Sequence, residues 1–322
     1  MIDRRHLLAA GAVGALLPAY ATAQAFTSKP IRIVVPFGPG GIADLTARAV
    51  ARPLGENLRQ SVIVENRPGA GGIVGGEVVA KAEPDGHTLL LMSNGTAVSA
   101  GLFRSLPFDA QKDFAPIVTL GFFDLAVLTA ANSRFQTMQE MLAFAKANPG
   151  KLNIGTINIG STQHLAAELL KTSAGVQFEV VPFNGSPAVL GALRGGQVDA
   201  VVEILGPMMT QIASKAVRPL AVMGAKREPA LRDVPTVAES GVPGFSAASW
   251  NALAAPARTP PQVIATLNRE ANRALADLEL RKQFALLHVA PAGGTPEQAR
   301  ELLTSETRRW ADVISRAHIP RQ

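Results

Sequence analysis

The sequence predicts an α/β fold made of two doubly wound lobes joined by a hinge. Three observations carry this. Short, continuously apolar runs alternate with segments whose apolar residues recur at helical spacing. The same alternation restarts after residue 150. The chain then closes with helical patterns that bring no strand of their own, so they have to cover a sheet laid down earlier.

Taken in order, residues 1–25, "MIDRRHLLAAGAVGALLPAYATAQA", read as an export signal: Arg4 and Arg5, an apolar stretch from Leu7 to Leu17, then small residues at Ala21, Ala23 and Ala25. Cleavage is expected near Ala23 or Ala25, and the paired arginines leave both the Sec and the twin-arginine route open. The apolar stretch is shorter than the roughly 20 residues a spanning helix needs. The mature chain is therefore expected outside the cytoplasm, in the periplasm. "IRIVVP" (31–36), "SVIVEN" (61–66), "TLLLMS" (88–93) and "DLAVLT" (124–129) are runs of the kind buried in parallel sheets. Between the first two, Leu45, Ala49, Leu54 and Leu58 mark a helix. The second series is "KLNIGT" (151–156), "FEVVPF" (178–183), "VDAVVEI" (198–204) and "RPLAVMG" (218–224), with helical patterns at 162–173 and 187–194. Residues 228–261 read as a proline- and glycine-rich loop, and 262–276, 279–287 and 296–316 as helices. The expected division is 26–124 plus 249–322 for one lobe and 125–248 for the other.

Composition limits what such a fold does. A chain of 322 residues, 47% hydrophobic and 17% charged, buries a sizeable core. It has no cysteine, which excludes disulfides, thiolate metal sites, a thiol nucleophile and a lipid-anchoring cysteine. The net charge of +6 is spread along the chain and there is a single tyrosine, so the basic face with stacking aromatics that nucleic acid requires is missing. What remains is a general bias toward anions.

"VVPFGPGGIAD" (34–44) lies at a strand end before a helix. Gly38, Gly40 and Gly41 permit close backbone approach, Phe37 and Ala43 flank them, and the prolines stiffen the turn. Backbone N–H groups ahead of a helix N-terminus suit a carboxylate; the plainer reading is a tight turn with no ligand. Asp44 is either a cap for the helix or a partner for a ligand's amine or hydroxyl. "VPFNGSP" (181–187) echoes this loop in the second lobe, bringing Phe183, Asn184 and Gly185 to a facing strand end. Ser161 and Thr162 start a helix, with Gln163 in its first turn. Asn94 is either a pocket donor or the left-handed residue of an Asn-Gly turn. Glu203 ends a strand near the expected cleft, as a solvated strand end or as a partner for an amine. The cluster "NRPGAGGIVGGEVVA" (66–80) misses dinucleotide-binding spacing and is read as close helix-on-strand packing, and no cofactor is expected.

Taken together, "KPIRIVVPFGPGGIADLTAR", "VENRPGAGGIVGGEVVAKAEPDGHTLLL", "VPFNGSPAVLGALRGGQVDAVV", "RPLAVMGAKREPALRDVPTVAESGVPGF" and "GGTPEQARELLTSETRRWADVISRAHI" resemble the Bug receptors, the substrate-binding proteins of tripartite tricarboxylate transporters. The resemblance spans the mature chain. It implies a periplasmic-binding-protein-like fold of type II that closes on a small organic acid and delivers it to a membrane permease. It also implies that main-chain N–H groups and waters at Phe37 to Asp44 hold one ligand carboxylate, faced by Ser161 to Gln163 and Phe183 to Gly185. The family often has Tyr-Lys-Gly where this chain has Phe183, Asn184 and Gly185, so a less charged or more aromatic ligand is expected.

Two other classes were weighed. An exported enzyme lacks support: there is no G-x-S-x-G, no H-E-x-x-H and no P-loop, and His6, His87, His164, His288 and His318 are isolated from one another. No metal site is expected. A ligand-dependent partner of a membrane sensor uses the same fold, and sequence does not separate it from transport. The chain is read as a monomer.

Overall fold

The computed structural model describes residues 29–321. The export segment at 1–25 lies outside them.

The first series of elements runs β1 (Ile31–Val35), α1 (Ile42–Leu58), β2 (Val62–Asn66), α2 (Ile73–Ala80), β3 (Thr88–Ser93), α3 (Asn94–Leu102) and β4 (Phe114–Ala130). The second is α4 (Met138–Ala147), β5 (Asn153–Ile157), α5 (Thr162–Ala174), β6 (Glu179–Phe183), α6 (Ser186–Arg194), β7 (Ala200–Ile204), α7 (Leu205–Ala213) and β8 (Val217–Val222). The chain ends with β9 (Ala248–Pro256), α8 (Pro261–Leu275), α9 (Leu278–Leu286), β10 (Ala290–Gly293) and α10 (Pro296–Arg316). The strands form one continuous path, β2-β1-β3-β9-β4-β7-β5-β6, with β10 and β8 each adding to β4.

β4 makes this path two halves. Its residues Phe114 to Asp124 pair with β9, whereas Leu125 to Ala130 pair with β7 and β8. The chain crosses back at Ala247, whose N–H donates to the Met223 carbonyl, while the Met223 N–H donates to the Leu125 carbonyl. Both crossings are extended backbone lying side by side.

Three expectations are corrected. The run at 124–129 is the last part of a 17-residue strand, antiparallel to every partner it has, so the sheet is mixed rather than parallel throughout. The stretch 228–261 contains β9, and the closing segment contains β10. β9 went unread because "ASWNALAAP" is rich in alanine, which has low β propensity, and ends in proline. Its register with β3 and β4, not its local composition, makes it a strand.

Apolar contacts fix the layers. α1, α8 and α9 cover one face of the first half, burying Ile33, Val35, Leu54, Leu89, Leu91, Leu253 and Phe284. In the second half Leu125, Val127, Ile154, Ala166, Leu170, Val202 and Ala221 share a core. A further cluster joins Val98 and Leu102 of α3, Leu165 of α5, and Trp310, Val313 and Ile314 of α10, so that a second-half helix packs on two first-half helices. Fully burying side chains of this size stabilises by about 1.5–3 kcal/mol each.

The glycine-rich segment at 66–80 is a packing device. A Cβ on Gly75 would lie 2.9 Å from Pro36, and one on Gly76 2.6 Å from the Phe108 ring. α2 therefore sits directly against the turn that leaves β1.

Candidate functional site

The site is assembled from strand ends and helix starts on the two halves. In the first half, Gly41 caps α1 and leaves the N–H groups of the opening turn, Ile42 and Ala43 among them, without partners inside the helix. Gly40 adopts a φ of 81°, which glycine tolerates. A Cβ on Gly38 or Gly40 would meet nothing within 4 Å, and one on Gly41 only the Gly38 carbonyl at 3.9 Å. The protein's own packing does not require bare residues at 38 and 41. Their effect is to keep the backbone open to approach from outside.

Asp44 is the brace of this loop. Its Oδ2 accepts from the Gly40 N–H at 2.9 Å, Arg48 Nε donates to Oδ1 at 3.0 Å, and Asn66 Nδ2 donates to the same oxygen at 2.9 Å. Asn66 Nδ2 also donates to the Phe37 carbonyl at 3.1 Å. Burial opposes the charge on Asp44, but Arg48, Gly40 and Asn66 outweigh it and hold the carboxyl below the usual carboxylate range. Asp44 sits inside the first turn of α1 and caps none of its N–H groups; it reaches back and braces the loop instead. Asn66, which sequence reading passed over, fixes the same loop from the end of β2; the pairing of β2 beside β1 is what brings it there.

In the second half, Ser161 caps α5: its Oγ accepts from the His164 N–H at 3.1 Å and donates to the Ile157 carbonyl at 3.0 Å. That hydroxyl is occupied at both ends, leaving the N-terminal N–H groups of α5 as the open donors. His164 is buried, its Nδ1 accepting from the Gly160 N–H at 3.4 Å. Burial, with the charge of Lys171, pushes this imidazole down to about 4, so it is neutral near pH 7 and shapes the 158–161 turn.

Gly185 caps α6 with a φ of 92°, and Asn184 is exposed beside it. The next residue, Ser186, donates to Glu203 Oε2 at 3.1 Å, while Gln163 Nε2 donates to Oε1 at 3.3 Å. Glu203 is 1% exposed, so it is no solvated strand end; it ties the starts of α5 and α6 together. Burial pushes its carboxyl up to about 7 despite the bonds from Ser186, Gln163 and the Ile204 N–H. Among the described residues, no lysine or arginine pairs with it.

Asn94 joins the halves. It is the first residue of α3, not a left-handed turn residue, and it is fully buried. Its Nδ2 donates to Thr162 Oγ1 at 3.1 Å, and its Oδ1 accepts from Trp310 Nε1 at 2.6 Å. Thr162 Oγ1 also lies 3.3 Å from Ser249 Oγ on β9. Asn94 thus joins α3 to the start of α5, and Glu203 joins the start of α5 to the turn that follows Phe183.

Two α/β halves, linked by paired strand crossings and presenting glycine-opened strand ends and helix N-termini, define a two-lobed solute-binding receptor. The model of the tripartite tricarboxylate transporter family receptor matches residues 46–319. A UPF0065 protein from the tcbD-tcbE intergenic region of Pseudomonas sp. strain P51 is 39% identical over 97% of this chain and 94% of its own. Among solved structures, the periplasmic binding protein BugD has a TM-score of 0.81 at 30% identity, covering 91% of this chain and 99% of BugD. An R. palustris protein with adipate has a TM-score of 0.83 at 32% identity, covering 90% and 98%. The chain belongs to the tripartite tricarboxylate transporter receptor family.

Proposed function

We propose that this receptor works in the periplasm, after export on residues 1–25, and closes on a small organic acid for delivery to a tripartite-type membrane permease. The lobes are 26–124 with 249–322, and 125–248; they turn about β4 at Asp124/Leu125 and about the return at Ala247. The observation that carries the reading is the loop at Gly38 to Gly41, braced by Asp44 and Asn66, where a Cβ on Gly38 or Gly40 would meet nothing within 4 Å. Such a loop ahead of α1 takes a carboxylate. Phe37, Gly38, Gly40, Gly41 and Ala43 form the first wall, with Asp44 as its brace. Thr162, Gln163, Phe183, Asn184 and Gly185 form the second, with Ser161 and Glu203 holding its shape. Asn94 ties the two walls. Among the described residues, no helix is long and apolar enough to cross a membrane.

Ligand bound to both walls favours the closed state in proportion to its differential affinity for it. The test is a thermal-shift screen of refolded protein against aliphatic and aromatic mono-, di- and tricarboxylates and amino acids. An acid at 100 times its Kd stabilises the native state by about 2.7 kcal/mol. Hits confined to acids are the expected result. A hit list without acids would overturn the carboxylate assignment.

A further inference from the structure

Asn251 lies where nothing so far assigns a role, and its side chain stands out on hydrogen-bond accounting. It is 1% exposed, and among the described residues neither its Nδ2 nor its Oδ1 has a hydrogen-bond partner. A buried amide with both ends unpaired costs stability, and folded proteins rarely keep one without a use. Other buried orphans are single atoms, such as the hydroxyls of Thr129 and Thr156.

Register places this amide at the site. Ser93 pairs with Asn251, so the two fall in one row across β3 and β9, and the register Val34 to Leu90 carries that row to Phe37, two residues past the carboxyl end of β1. Neighbouring strands lie roughly 4.8 Å apart, which puts Asn251 about two strand widths from the Phe37 backbone. Two residues earlier on the same face of β9, Ser249 Oγ lies 3.3 Å from Thr162 Oγ1, in the first residue of α5. Asn251 therefore sits between the loop that opens the first wall and the helix start that opens the second, a few residues after the return crossing at Ala247.

We propose that Asn251 is a specificity-determining residue, whose carboxamide reads an uncharged group that both donates and accepts hydrogen bonds at the far end of an acid held by the 38–41 loop. This rests on the carboxylate reading above. A second carboxylate would satisfy Nδ2 but leave Oδ1 without a donor, whereas an amide or hydroxyl satisfies both. The exposed Asn184 adds no cation for a second carboxylate either. The ligand class is a carboxylic acid whose other polar end is an amide or a hydroxyl.

The experiment uses matched pairs of equal length: succinate and succinamate, adipate and adipamate, terephthalate and terephthalamate. Calorimetry on the wild type is expected to favour a half-amide over its diacid by tenfold or more, and Asn251→Ala to erase that preference. Asn251→Leu keeps the branching at Cγ and removes the unpaired amide; it is expected to raise the Tm of the refolded, ligand-free protein by about 2 °C while binding falls at least tenfold. A diacid preferred over its half-amide, a preference that survives in Asn251→Ala, or a leucine variant that melts lower than the wild type would each overturn the proposal. A wild type that binds none of the six acids overturns the carboxylate reading itself, and with it this one.

Discussion

Gly38 and Glu203 show how much of this receptor is decided by single side chains, one absent and one buried. At Gly38 a Cβ has free space and the backbone is not left-handed, so a side chain there fits the fold and obstructs only what approaches the loop. Gly38→Val is expected to leave Tm within about 1 °C, as surface substitutions generally do, and to weaken acid binding at least tenfold; scanning calorimetry checks the first claim and titration calorimetry the second, against the wild type. Gly40, with its positive φ, would confuse strain with obstruction. Glu203 titrates from a pKa raised to about 7, against 4.5 in an ordinary glutamate. A raised acid binds its proton more tightly in the folded state, so its stabilising contribution is complete below about pH 4.5 and is lost as pH rises toward 7. The difference is on the order of 3 kcal/mol at most. Asp124 at the crossing, pushed up to about 6 by burial and by the charge of Glu228, overlaps the lower part of that window. Glu203→Gln is therefore expected to flatten the stability curve between about pH 4.5 and 7, leaving only the slope of Asp124 below about pH 6, as measured by urea unfolding at fixed pH. Parallel curves for variant and wild type in that interval would contradict the burial argument. Sequence alone located Glu203, because a charged residue closing an apolar strand is conspicuous. It gave no hint of Asn66 or Asn251, whose positions depend on which strands lie side by side.

At the scale of elements, the contact of α5 with α3 and α10 governs how the halves meet. Leu165 enters the cluster around Trp310, and Asn94 bonds to Thr162 and Trp310 in the same buried seam. Asn94→Ala removes both bonds, yet Thr162 keeps Ser249 and Trp310 keeps Glu306 as partners. The cost expected is about 1–2 kcal/mol, read as a lowered midpoint in chemical unfolding; an unchanged midpoint would mean the seam is held by its apolar members alone. The elements themselves were unequally legible. α10 carries an apolar stripe whose helical spacing gives its span of 296–316, and the structure adds a capping Thr295 and Pro296 at its first turn. β1, β2 and β3 were equally plain as apolar runs between turns. β9 and β10 were not, since alanine, proline and glycine dominate them and only neighbouring strands make them extended. β4 is legible at its second-half end alone; the proline and the glycine that interrupt it upstream sit at irregular register, where Pro116/Val118 and Thr119/Gly121 break the pairing.

For the whole molecule, one strand shared by both sheets and one return crossing make closure the natural motion. The two walls meet across few polar contacts, so a ligand that bonds both of them changes the balance between open and closed states by its own differential affinity and no more. The charge pattern agrees with an anionic cargo: backbone N–H groups and helix N-termini line the walls, while Asp44 is already neutralised by Arg48 and Glu203 is held protonated up to about pH 7. The central claim is that the acid is captured between the halves. Small-angle scattering on refolded protein, with and without a saturating amount of the acid giving the largest thermal shift, tests it most directly. The radius of gyration is expected to fall on saturation; one that stays the same while binding is complete would contradict capture by closure.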